Sequence, residues 1–195
     1  MKFEYLKELV KNNRSYRRFY QNFFIPIEDL KELVDLARLS PSSANLQPLR
    51  YYISNNSEIN NKIFKSLKFA AYLKNWDGPA EGERPSAYII VLSDNEISKT
   101  PEIDAGIAAQ SILLGAVSKG LGGCIVANVY REMLYEELKI DKKYKILFVI
   151  AIGRPAENVI IEEISIDDDI KYYRDENSNH HVPKRRLENI IIGIN

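Results

Sequence analysis

The order of apolar residues predicts a mixed helix-and-strand protein folded as one domain, and three observations carry that expectation. Segments with apolar residues at helical spacing alternate with short, nearly continuous apolar runs of strand length. The 195 residues suffice for one sizeable core, and neither an internal repeat nor a long linker divides positions 1–195. Hydrophobic residues make up 45% and charged residues 28%, the balance of an ordinary globular protein.

Phe3, Leu6, Leu9 and Val10 share one helical face, so a short amphipathic helix opens the chain. Leu30, Leu33, Val34 and Ala37 repeat the pattern in a second helix, which stops where Pro41 restricts Ser40. Tyr51-Tyr52-Ile53 reads as a strand. Ile59, Ile63 and Leu67 mark a third helix leading into a loop, Tyr72 to Pro79, that holds the only tryptophan, Trp76. Ala87 to Leu92 has the run of a buried strand.

Thr100 as N-cap and Pro101 at the first helical position then open a helix to about Lys119. It is apolar nearly all round (Ile103, Ile107, Ala108, Ile112, Leu113), with Gly106 and Gly115 permitting close approach. Such a helix is buried on every side, either centrally or by a second subunit. Leu121 to Asn128 follows as a turn and strand, Arg131 to Leu138 as a short helix, and Lys145 to Ile152 as a strand ending at Gly153-Arg154-Pro155. The remainder reads as polar, with Asp167-Asp168-Asp169 a solvated acidic patch and His180 and His181 in an exposed tail.

Lysine plus arginine (27) equals aspartate plus glutamate (27), so no global field favours nucleic acid or an anionic membrane. Cys124 stands alone, which excludes an internal disulfide, and no zinc-type spacing occurs. Charged residues occupy the positions where a signal peptide needs an apolar core, and the run Ile146 to Ile152 is too short to span a bilayer. These features lead us to expect a cytoplasmic protein without metal. Gly120-Leu121-Gly122-Gly123 follows a helix and precedes a strand, the wrong order for a dinucleotide-binding turn. No phosphate-binding Gly-Lys-Ser/Thr loop and no Gly-x-Ser-x-Gly nucleophile elbow is present. With nucleophiles and acid–base pairs absent, any reactive atoms belong to a bound cofactor.

Two segments suit such a cofactor. Ser40-Pro41-Ser42-Ser43-Ala44-Asn45-Leu46-Gln47-Pro48 is rich in hydroxyl and amide groups and is pinned by prolines, so it can present donors and acceptors to an uncharged polar ligand. It reads equally well as a plain helix stop and turn. Arg14-Ser15-Tyr16-Arg17-Arg18-Phe19 is a compact basic cluster suited to a phosphate.

These two segments, the small-residue helix from Asp104, Gly120-Leu121-Gly122-Gly123, Gly153-Arg154-Pro155 and the closing Pro183-Lys184-Arg185-Arg186 resemble, in order and spacing, the FMN-dependent nitroreductases. The resemblance covers nearly the whole chain. It implies an α+β fold, a mostly antiparallel central sheet wrapped by helices, in an intertwined homodimer with two FMN sites at the interface. Carried over by position, Arg14, Ser15 and Arg17 meet FMN, the first two near its phosphate and Arg17 at the pyrimidine edge. Pro41, Ser42, Ser43, Asn45 and Gln47 line the ribityl chain and ring from the partner subunit. Ala127 and Asn128 lie where the family backbone faces flavin N5, and Lys184 and Arg185 close over the phosphate.

Three positions depart from the family pattern: Asn13 in place of a frequent arginine, Leu49 in place of an aromatic, and Ala127 in place of an acidic side chain. The resemblance implies electron transfer from NADH or NADPH through FMN to nitroaromatics, quinones or similar small acceptors, with no catalytic side chain required. A flavin carrier or redox sensor without turnover would show the same motifs.

Overall fold

The computed structural model describes residues 2–194 apart from 71, 74 and 75, so Lys74 and Asn75 of the expected loop lie outside the described residues. The elements run α1 (Phe3–Asn12), α2 (Ile27–Leu39), β1 (Leu49–Ser54), α3 (Ser57–Lys65), β2 (Ala87–Asp94), α4 (Glu102–Ser118), β3 (Gly122–Val126), α5 (Arg131–Leu138), β4 (Tyr144–Gly153), β5 (Val159–Ile164), β6 (Tyr173–Arg174) and β7 (His180–Arg185).

The main sheet has the order β1-β2-β4-β3 with every pair antiparallel, as the resemblance implied. Strand side chains alternate between faces, and both faces are covered. Ile89 and Val91 of β2 pack with Leu33 of α2 and Ala108 and Ile112 of α4. Tyr88 and Ile90 pack on the opposite side with Ile63 of α3 and Leu134 of α5. Double coverage is why β2 reads as a continuous apolar run.

Helix α4 starts one residue later than expected, with Pro101 rather than Thr100 at the N-cap. Its apolar circumference divides in two. Ala105, Ala108, Ala109, Ile112 and Ala116 are buried in the chain's own core, while Ile103 is 73% exposed. A methyl group on Gly115 would sit 2.4 Å from Leu36 of α2, so the glycine permits helix contact within the chain. Gly106, expected to do the same, opens on free space. Helix α1 buries none of its residues, leaving Phe3, Leu6 and Val10 exposed.

The segment read as a polar tail forms a second sheet, order β5-β7-β6, in which β5 and β7 are parallel and β6 and β7 antiparallel. Its strands mix charge with apolar residues, and Pro183 stands in β7 beyond the reach of β6, where one side of the strand is unpaired. The sheet corrects the reading of the histidines: His180 is 1% exposed. Among the described residues, no helix is long and apolar enough to cross a membrane, and no acid, histidine and cysteine cluster fit for a metal occurs.

Candidate functional site

The basic segment lies as a strap along the end of the main sheet. Tyr16 N–H donates to the Gly123 carbonyl at 3.0 Å, and Phe19 bridges to Pro155. Glycines make the approach possible. A Cβ on Gly122 would come within 2.5 Å of the Tyr16 ring, and one on Gly153 within 2.7 Å of Phe19. The glycine motifs read from the sequence are therefore the bed on which the strap rests.

Arg17, from the middle of the strap, is 8% exposed. Its Nη1 donates to the Ser15 carbonyl at 3.2 Å and to His180 Nε2 at 3.1 Å. A guanidinium cannot accept, so Nε2 is the acceptor and the imidazole is neutral. Burial, and then the charge of Arg17, push the His180 pKa down to about 4. The Tyr172 ring covers the guanidinium at 4.6 Å. Beneath, the buried Glu157 carboxylate accepts the N–H groups of Arg17 and Arg18 and pairs with Arg174 at 2.9 Å. Arg18 turns away to an ion pair with Glu83, Nε to Oε2 2.8 Å.

Arg17 and Tyr172 line a cavity of about 200 Å³ together with Cys124, Ala127, Asn128 and Lys68. Ala127 and Asn128 follow β3 and are held from two sides. Lys68 N–H donates to the Asn128 carbonyl at 3.0 Å. Arg131 Nε and Nη2 donate to the carbonyls of Ile146 (2.8 Å) and Leu147 (2.9 Å), tying the start of α5 to β4. Among the described residues no carboxylate lines this cavity, and burial pushes the Cys124 thiol up, away from thiolate character. Aromatic rings form a cover: Tyr72 packs on Tyr172 at 5.1 Å, and the half-buried Trp76 lies under Arg174 at 4.4 Å.

Arg14 donates from Nη2 to the Val10 carbonyl at 2.8 Å, whereas its Nε is buried without a partner. Burial lowers its pKa, the mark of a cation short of counter-charge. Neighbouring Ser15 is exposed.

The hydroxyl-rich loop forms a separate group. Asp104, buried in the first turn of α4, accepts from Ser42 Oγ at 2.5 Å and Ser43 N at 2.9 Å. Ser42 Oγ in turn accepts from Gln47 N at 2.9 Å. Ala44, Asn45 and Gln47 all have positive φ (48°, 55° and 53°), a cluster of strained backbone of the kind that marks ligand-binding loops. Pro41, Ser42 and Gln47 line a second cavity of about 180 Å³, with Ser43 and Asn45 exposed nearby. Lys184 and Arg185 form a third group, exposed at the end of β7.

Within one chain the structure thus brings together Arg17, Ala127 and Asn128, but not the loop residues or the basic pair. Sequence reading missed Glu157, Tyr172, His180 and Arg131, which lie in segments without a distinctive motif. Asp104 was open to detection as an acid, with Glu102, in the first turn of a largely apolar helix.

Residues 10–154 match the model of the nitroreductase family. A protein of Methanothermobacter thermautotrophicus, provisionally named NADH dehydrogenase/NAD(P)H nitroreductase, is 32% identical over 159 residues, covering 77% of this chain and 78% of its own. A crystal structure of a similarly named protein from Parabacteroides distasonis superposes with a TM-score of 0.63 at 26% identity, covering 78% of this chain and 88% of the other. An FMN-dependent nitroreductase of Clostridium difficile gives a TM-score of 0.59 at 25% identity, covering 87% and 92%. Family match, sequence relative and superposed folds agree: the chain belongs to the nitroreductase family.

Proposed function

We propose that this protein is an FMN-dependent oxidoreductase that takes electrons from NADH or NADPH and passes them to nitroaromatics, quinones or similar electron-poor acceptors. One observation carries the reading: a cavity lined by the buried Arg17 cation and the fixed backbone of Ala127 and Asn128, with no carboxylate, histidine or thiolate among the described residues that line it. Such a lining suits hydride and electron transfer at a cofactor and not side-chain catalysis. The unpartnered Arg14 Nε and the strained loop of Ser42, Ser43, Asn45 and Gln47 fit a phosphorylated, polyhydroxylated ligand. Bound FMN supplies a two-electron relay between nicotinamide and acceptor.

The residues of this chain then have separable roles. Arg14 and Ser15 hold the phosphate, joined by Lys184 and Arg185. Arg17 presents positive charge to the ring edge that gains electron density on reduction, which raises the potential. Ala127 and Asn128 offer backbone groups at N5. Pro41, Ser42, Ser43, Asn45 and Gln47 serve the site of the other subunit in a homodimer. Exposed apolar side chains on α1 and at Ile103 support that assembly, since such area on one side of a chain marks an interface. The proposal takes residues 1–195 as one FMN-binding domain in the cytoplasm, where a lone thiol such as Cys124 persists.

Purified protein should be yellow, release FMN on denaturation and bleach rapidly when mixed anaerobically with NADH or NADPH. A stable yellow colour under those conditions identifies a carrier or sensor instead, and colourless protein that takes up no FMN on reconstitution refutes the site. Ala109→Arg does not test assembly, because Ala109 is 1% exposed within its own chain. Gly106→Arg, on the open face of α4, does: sedimentation should show loss of dimer and of flavin absorbance on the same boundary.

A further inference from the structure

Outside the residues assigned to FMN, a cavity of about 230 Å³ opens between α3, the start of β2 and the segment that leads into α2. Three buried polar atoms at its wall have no hydrogen-bond partner: Arg84 Nε, Ser86 Oγ and Tyr88 Oη. Tyr88 is 1% exposed, and a buried hydroxyl left unpaired is costly. Among the described residues the Arg84 guanidinium makes no ion pair and no hydrogen bond; it only stacks on Phe64 at 4.5 Å. Among the described residues no aspartate or glutamate lines the cavity.

The walls are fixed independently of any ligand. Asn60 accepts from Ser54 Oγ and donates to the Ser86 carbonyl, each at 2.8 Å. Gln21 Oε1 accepts the Gly82 and Arg84 N–H groups at 2.7 and 3.2 Å. The three unpartnered atoms are therefore spare donors on a preorganised frame. At the mouth stand Phe23 and Phe24, 38% and 71% exposed; Arg154 lies over the Phe23 ring at 5.5 Å, and Phe24 presents open apolar area.

The geometry points to a second ligand site here, for a small monoanionic carboxylate with an apolar or aromatic body. The carboxylate engages the Arg84 fork and accepts from Ser86 and Tyr88, and the body lies between Phe64 and the rings at the mouth. One cation and three donors match a single negative charge, whereas a phosphate dianion calls for more positive charge. The volume holds on the order of eight waters, about the size of a benzoate. Burial pushes the Tyr88 phenol up, so it stays a donor at all ordinary pH.

The probe is 4-fluorobenzoate, followed by fluorine NMR on the purified wild-type protein with the flavin absorbance recorded in parallel. The expected result is a saturable site whose titration leaves the flavin spectrum unchanged. Arg84→Met should weaken it about tenfold to a hundredfold and Tyr88→Phe by a smaller factor, with 4-fluorobenzyl alcohol failing to compete. Thermal melts confirm that both variants are folded. No saturable signal, wild-type affinity in Arg84→Met, or binding only where the flavin spectrum shifts overturns the inference. Because the cavity shares no residue with the FMN assignment, colourless protein refutes the proposed function while leaving this titration readable.

Discussion

Glu157 joins three things that the strap requires, and removing it should cost more than removing any other acid of the described residues. Its side chain is 1% exposed, and that of its partner Arg174 16%. Glu157→Ala leaves the Arg174 guanidinium, whose Nε already lacks a partner, without its counter-charge and orphans the N–H groups of Arg17 and Arg18. Breaking a buried pair from one side costs about 3–5 kcal/mol. Glu157→Gln keeps an acceptor for the backbone but loses the charge assistance to Arg174, for about 1.5–3 kcal/mol. Urea unfolding at one fixed protein concentration, read by circular dichroism, should give that order with unchanged slopes. Because both orphaned N–H groups belong to the strap, FMN affinity should fall in the same order. A Glu157→Ala variant within about 1 kcal/mol of wild type would show that the strap is held elsewhere.

Other variants probe the remaining parts. Arg14→Ala should weaken FMN binding by about one to two decades, read by fluorescence titration of apoprotein, since a charge-assisted phosphate contact is lost. Gly123→Ala places a Cβ 2.7 Å from the Ala151 carbonyl oxygen, so β3 must shift, with a loss of about 1–3 kcal/mol in thermal or urea unfolding. The two histidines should act in opposite directions. His180 is held neutral down to about 4 against an ordinary 6.5, so its contribution is complete above 6.5 and is lost as pH falls through that window. His181 is raised by hydrogen bonds to Asp175 and Glu162, so its contribution is present below its ordinary value and is lost as pH rises through the raised one. Stability against pH should lose its acid limb in His180→Asn and its near-neutral limb in His181→Gln.

Periodicity placed α2, α4 and the strands of the main sheet to within a few residues, because each has a face or a run that only burial explains. It placed nothing of β5, β6 and β7. Their pairing joins Val159 to His180 across twenty-odd positions of polar chain, and half-exposed strands with charges and a proline carry no alternation to read. In the site, residue types that bind through backbone or charge were visible as motifs: the arginines of the strap, the serines of the loop and the glycines beneath them. The residues that position them were not. Glu157 looks like any surface glutamate until the chain is folded, and His180 looks like half of an exposed pair.

The family match ends at Arg154, while Tyr172 and His180, which cover and hold Arg17, come from the chain beyond it. The candidate site is thus assembled from a floor inside the matched region and a roof from the segment that follows it. Substitutions in the roof can alter how strongly the arginine is felt, without touching the main sheet and the core on its two faces. A change at the candidate site therefore needs no new core, only new contacts from the second sheet and from the segment that carries Tyr172.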